Sequence, residues 1–226
     1  MKDIFCLTGG VLGTNTYIVP LANNECFVVD PAVDAERIVE KIASAGLRLT
    51  AILLTHGHYD HMESLQELSL LYPQAKIAIH SEDAKSLGKD ALLRHYAEFA
   101  STGLVQLYAA FQGDFEKKPH LPEADFFLKG GEVFENEWLV LHTPGHTRGC
   151  ICLYNEKKKQ LLSGDTLFYM GWGRTDLEGG DQRALQTSLK RLFDLPSETK
   201  VFPGHEQYGF SLAETNASVT RGFLTI

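Results

Sequence analysis

The 226-residue chain predicts a mixed fold, α/β or α+β, with two sheets packed face to face and helices outside them. Three observations carry this. The N-terminal part alternates strand and helix patterns. The part from Asp125 onward is mostly β. The stretch from about 83 to 122 breaks the rhythm of both.

Glu25 to Asp30 (ECFVVD) is rich in β formers and reads as a strand. Asp34 opens a helical pattern in which Ile38, Val39, Ile42 and Ala45 recur at helical spacing, and Gly46 supplies a stop. Leu49 to Thr55 is a continuous apolar run, as a strand buried on both faces would be. After the loop His56 to His61, Met62 to Tyr72 reads as a helix stopped by Pro73, and Lys76 to His80 as a short strand. Asp90 to Ala100 looks helical, with Leu93, Tyr96 and Ala97 as its apolar stripe. The residues after it, among them Phe111, Gly113, Pro119 and Pro122, keep no period. The stretch reads as a helical and irregular excursion, a kind of segment that often forms a lid. Its aromatics Tyr96, Phe99, Tyr108 and Phe111 either offer surface to a site or pack the excursion onto the core. Beyond it, Gly130-Gly131 marks a turn and Trp138 to His142 a strand. Cys150 to Tyr154 and Gln160 to Ser163 form a hairpin about Lys157-Lys158-Lys159. Gln182 to Asp194 is a helix ending before Pro196, and Lys200 to Phe202 a last short strand. Ser211 and Glu214 have the spacing of a capping box that starts a final helix. One domain over 1–226, excursion included, is expected.

Composition narrows the function classes. Hydrophobic residues at 44% and charged residues at 22% are those of an ordinary globular protein. A net charge of −8 repels phosphate backbones and anionic lipid heads, so neither nucleic acid nor membrane is an expected partner. A small-molecule substrate is. Met1 to Gly10 shows no signal-peptide pattern and no stretch has the length of a membrane span, which makes the cytoplasm the default location. Four cysteines are too few for a disulfide scaffold, and Cys150 and Cys152, two apart in an apolar run, read as core residues.

The chemistry starts at Thr55-His56-Gly57-His58-Tyr59-Asp60-His61. Three imidazoles and a carboxylate follow a buried strand directly, and this is a ligand set for zinc and its neighbours. Without an ion such crowding costs desolvation with no return. Three further segments repeat the shape of a strand followed by a turn with a ligand-type residue. They lead to His146 in HTPGHT, to Asp165 in SGDTLF and to His205 in FPGHE.

With GRTDLEGGD, these motifs resemble the metallo-β-lactamase superfamily, in particular its glyoxalase II-like branch of hydroxyacylglutathione hydrolases and their shorter bacterial relatives. The resemblance runs roughly from Asn15 to His205, apart from the excursion. It implies a four-layer αββα sandwich with two metal ions. His56, His58 and His146 would bind the first, Asp60, His61 and His205 the second, and Asp165 would bridge them. Asp30 matches a position that orients ligands, while His142, at the start of HTPGHT, reads as a residue that supports the ligands or the structure and not as a ligand. Zinc is the first choice of metal, with iron or manganese as alternatives. The implied reaction is attack of a metal-bridged hydroxide on a carbonyl, with Asp60 orienting it and accepting its proton, and with a thioester of the hydroxyacylglutathione type as substrate. Arg174 matches a basic position that can contact glutathione. Asp176 departs from the pattern, standing where an aromatic hydroxyl is usual. Full-length relatives carry a basic helical region toward the C-terminus, which is expected to be missing after His205, since the sequence ends at Ile226. A lactonase or phosphodiesterase would use the same ligands. A persulfide dioxygenase with one iron shares His56, His146 and Asp165, and a non-catalytic metal-binding module would bind without turnover. A β-lactamase would normally be exported and carry a Cys at the position of Asp165.

Overall fold

A computed structural model describes residues 3–101, 105–117 and 120–224. The chain divides into two compact units, Met1–Ile79 with Ala84–Phe127, and His80–Asp83 with Leu128–Ile226.

The first unit is built on a six-stranded sheet. Its strands are β1 (Phe5–Gly9), β2 (Thr14–Pro20), β3 (Glu25–Val29), β4 (Arg48–Leu53), β5 (Lys76–His80) and β6 (Phe126–Leu128), in that spatial order. β1, β2 and β3 pair antiparallel; β3, β4 and β5 pair parallel. The parallel pairs need crossovers, which α1 (Ala35–Ser44) and α2 (Leu65–Leu71) supply. α1 buries Ile38 and Ile42 of the stripe its spacing predicts, together with Ala35, while Val39 and Ala45 are only half-buried, and Gly46 leaves the helix at φ +62. Ile18, Val28, Ile52, Leu65, Leu68 and Ile79 fill the core of this unit.

Two elements differ from the sequence expectation. The helix predicted from Met62 begins only at Leu65, after a 3-10 turn at Tyr59–His61. The Ser64 amide is drawn to the Pro31 carbonyl at 2.9 Å, which holds the segment off the helix axis. The excursion contains two helices, α3 (Ala91–Ser101), where a helix was expected, and α4 (Val105–Lys117), where no period was legible. The expected stripe of α3 is not its buried face: Leu93, Tyr96 and Ala97 are exposed, and Ala91, Leu92 and His95 are buried. Phe111 of α4 is fully buried and Phe99 packs on the same core, so these two aromatics are packing residues. Tyr96 is exposed, and the side chain of Tyr108 lies outside the described residues.

The second unit holds β7 (Val133–Phe134), β8 (Trp138–His142), β9 (Ile151–Asn155), β10 (Gln160–Gly164), β13 (Lys200–Pro203) and β14 (Phe210–Ser211), ordered β14-β13-β10-β9-β8-β7. β10 and β13 are parallel and the rest antiparallel. A small hairpin, β11 (Leu167–Phe168) and β12 (Gly171–Trp172), stands apart from that sheet. The lysine turn joins β9 to β10, with Lys159 at φ +51. α5 (Gln182–Phe193) is capped by Asp181, whose carboxylate accepts the Ala184 amide at 3.0 Å. α6 (Leu212–Val219) begins where the Glu214 carboxylate accepts the Ser211 amide at 2.6 Å. Leu161, Leu185, Leu189, Val201 and Phe210 form the core. Cys150 and Cys152 are buried free thiols, as their spacing predicts, and burial pushes the Cys152 thiol up to about 11. Among the described residues no helix is long and apolar enough to cross a membrane.

Candidate metal centre

In the first unit, β4 is apolar through Leu53, and the chain then turns into the histidine loop. Asp30, buried at the end of β3 with φ +52, organises that turn. Its carboxylate accepts the Thr55 amide at 2.8 Å, the Thr55 hydroxyl at 2.7 Å and the His61 Nδ1–H at 2.8 Å. Its own carbonyl accepts the Thr16 hydroxyl at 2.7 Å. The sequence placed Asp30 as a residue that orients ligands, and this geometry is what such a role needs.

Two of the three imidazoles in this loop are aimed by the atom on their far side. His61 gives Nδ1–H to Asp30, so its Nε2 lone pair faces Asp60 Oδ2 at 3.5 Å. His56 Nδ1 lies 3.1 Å from the Thr55 hydroxyl, which already donates to Asp30 and so accepts from the ring. That leaves His56 Nε2 as the lone-pair nitrogen, 3.1 Å from His58 Nδ1. Asp60 Oδ2 also accepts the Thr14 hydroxyl at 3.2 Å. His56 and His61 are completely buried, with ring centroids 4.2 Å apart. Converging imidazole nitrogens and a carboxylate, excluded from water, are the donors a divalent cation of the zinc type requires.

In the second unit, three turns bring His146, Asp165 and His205 together. Asp165 follows β10, and its Oδ2 lies 3.5 Å from His146 Nε2 and 3.4 Å from His205 Nε2. One carboxylate oxygen thus lies between two imidazole nitrogens. His146 Nδ1–H donates to the Arg174 carbonyl at 2.7 Å, again fixing Nε2 as the ligand atom. Two glycines make the approach possible. A Cβ on Gly145, at φ +143, would lie 2.4 Å from the backbone of Leu185, and one on Gly173 would lie 2.0 Å from the Asp165 carbonyl oxygen. His142 gives Nε2–H to the Arg148 carbonyl at 2.9 Å and stacks on His80 with centroids 4.1 Å apart, a structural role as expected.

Arg174 does not stand open. Its guanidinium makes two 2.7 Å bonds to the Asp176 carboxylate, and this partner holds Asp176 down to about 2. Both side chains are exposed.

Three supporting residues escaped the sequence reading. Asp83 is buried and takes the Thr147 hydroxyl at 2.6 Å and the Gly149 amide at 2.9 Å, bracing the turn that carries His146. Thr14 holds Asp60. Glu98 of α3 approaches His58 Nε2 at 3.7 Å. None sits within a ligand motif, so no local spacing marked them.

The family model described as the metallo-beta-lactamase superfamily matches residues 9–205. A probable metallo-hydrolase of Bacillus subtilis, YqgX, is 34% identical over 87% of this chain and 86% of its own. The hydroxyacylglutathione hydrolase GloC of Haemophilus influenzae is 29% identical over 80% of both. Among solved structures, the B3 metallo-beta-lactamase BLEG-1 superposes with a TM-score of 0.78 at 27% identity, covering 98% of each chain. TTHA1623, solved in a di-iron-bound form, gives 0.74 at 31% identity over 95% of this chain and 98% of that one.

Proposed function

The chain belongs to the metallo-β-lactamase superfamily, and from that premise we propose that it is a dinuclear metal-dependent hydrolase acting on thioesters. His56, His58 and His146 would hold one ion, Asp60, His61 and His205 the other, and Asp165 would bridge. Seven such ligands exceed what one four-coordinate ion takes, and neither unit alone supplies enough for two. Two divalent ions, when bound, would lower the pKa of a water toward neutrality and polarise a substrate carbonyl. The rest falls to the chain. Asp60, held by Thr14, would accept a proton at its carboxylate. Asp30 keeps the His61 ring and the start of the loop in one orientation. No strong general acid is needed, because a thiolate leaves without one. Zinc suits these mixed donors; the di-iron form of TTHA1623 makes iron the alternative to test.

The observation that carries this reading is the Asp165 oxygen between His146 and His205. The test combines metal analysis with a hydrolysis panel. Asp165→Ala should lose both ions and all measurable turnover while its circular dichroism stays that of the folded chain. Retention of two ions with near-normal turnover would refute the bridging role. The name of GloC supports a glutathione thioester as substrate, with Arg174 as a contact for its carboxylate. The Asp176 clamp predicts that such esters are hydrolysed with a high Michaelis constant. The likeness to BLEG-1 favours β-lactams as the second class. Lactones and phosphodiesters complete the panel.

A further inference from the structure

We propose that Glu98 is the positioning residue of His58, so that the inserted helix α3 tunes the metal site; this rests on the metal-binding reading above. Ligand histidines work best when the nitrogen facing away from the ion gives its proton to a fixed acceptor, which sets the tautomer and strengthens the ligand. His56 has the Thr55 hydroxyl for this, His61 has Asp30, and His146 has the Arg174 carbonyl. His58 is turned the other way. Its Nδ1 is the atom near His56 Nε2, so its outer nitrogen is Nε2, and the group facing that nitrogen is Glu98 Oε1 at 3.7 Å. Both side chains are largely shielded from water, 14% and 22% exposed, so solvent screens the carboxylate less than at an open surface. The separation is that of an ion pair. A movement of roughly 0.5 Å makes it a hydrogen bond.

Glu98 is also held in place. His95 and Phe99 lie on the same face of α3. His95 Nε2–H donates to the Ser86 carbonyl at 3.0 Å, and its ring lies 5.4 Å from Tyr59, the neighbour of His58. Phe99 stacks on Phe111 at 5.3 Å, and Phe111 meets Tyr59 edge-on at 5.1 Å. The helix is therefore packed onto the ligand loop through Tyr59, with the carboxylate aimed at the ring beside it.

The experiment uses the full chain with zinc as probe. In chelator competition, Glu98→Ala should keep the wild-type stoichiometry but bind one ion about 10- to 100-fold more weakly. Glu98→Gln, which retains an acceptor oxygen, should lose less. In the zinc-loaded protein, NMR of the histidine rings should find the His58 Nε2–H proton shifted downfield and slow to exchange in the wild type, and exchanging faster in Glu98→Ala. Leu93→Ala, exposed on the same helix, should change neither readout. Unchanged zinc affinities together with an unchanged His58 Nε2–H signal in Glu98→Ala would overturn the inference. A wild-type chain that takes up no zinc would overturn the metal-binding reading itself, and this inference with it.

Discussion

Asp30 and Arg174 mark two ways a single charge is committed before any substrate arrives. Asp30 is spent inward, on Thr55 and His61. Arg174 is spent outward, on Asp176, through a bidentate bond in full contact with water. Exposed pairs of this kind contribute little, so a substrate carboxylate can compete for the guanidinium at a small cost. Asp176→Ala should lower the Michaelis constant for a glutathione thioester by up to about fivefold, and Arg174→Ala should raise it. Steady-state kinetics on both variants decides this, and identical constants in the two would remove Arg174 from substrate binding. His95 provides a pH dependence. Burial pushes its imidazole down to about 4, against which the Ser86 carbonyl works only partly. The folded chain therefore keeps His95 neutral where the unfolded chain, with an ordinary value of 6.5, already binds a proton. Its contribution is constant above about pH 6.5, is lost as the pH falls toward 4, and amounts to roughly 3 kcal/mol when complete. Urea midpoints between pH 7.5 and 4.5 should fall more steeply for the wild type than for His95→Gln. Parallel curves would show that the histidine is not buried as described.

At the scale of elements, the design is a strand that ends and a turn that presents a ligand. β4 leads to His56, β8 to His146, β10 to Asp165 and β13 to His205. The turn at His146 depends most on its glycine, because the chain passes against the backbone of α5. Gly145→Ala combines φ strain with a contact that backbone cannot relieve, and should destabilise by at least about 2 kcal/mol. A shift in denaturant midpoint measures this, and an unchanged midpoint would mean the turn has room to move. These strand-turn units were legible from the sequence, since an apolar run followed by Gly and then His or Asp is a local pattern. The second excursion helix was not. Phe111 is its one fully buried described residue, and with Gly113 two positions later the segment shows no stripe. The start of α2 was misplaced for a related reason: Met62 and Ser64 suit a helix, but a carbonyl from Pro31 claims the Ser64 amide.

For the whole molecule, the ligand candidates and Asp30 were readable, and the other supporting residues were not. All seven ligand candidates sit in short motifs, while Thr14 is 46 residues from the Asp60 it holds and Asp83 is 64 residues from Thr147. Contacts at that separation are products of the fold and leave no spacing behind. Of the ligand candidates, four lie in the histidine loop of the first unit and three in the turns after β8, β10 and β13 of the second. The family match, covering residues 9–205, spans both groups. The claim that they serve one dinuclear centre is tested most directly by the metal content of the full chain, stripped with chelator, reconstituted with zinc, freed of excess metal and weighed by elemental analysis. The account predicts saturation at two ions per chain. Saturation at one ion, however much zinc is supplied, would contradict it.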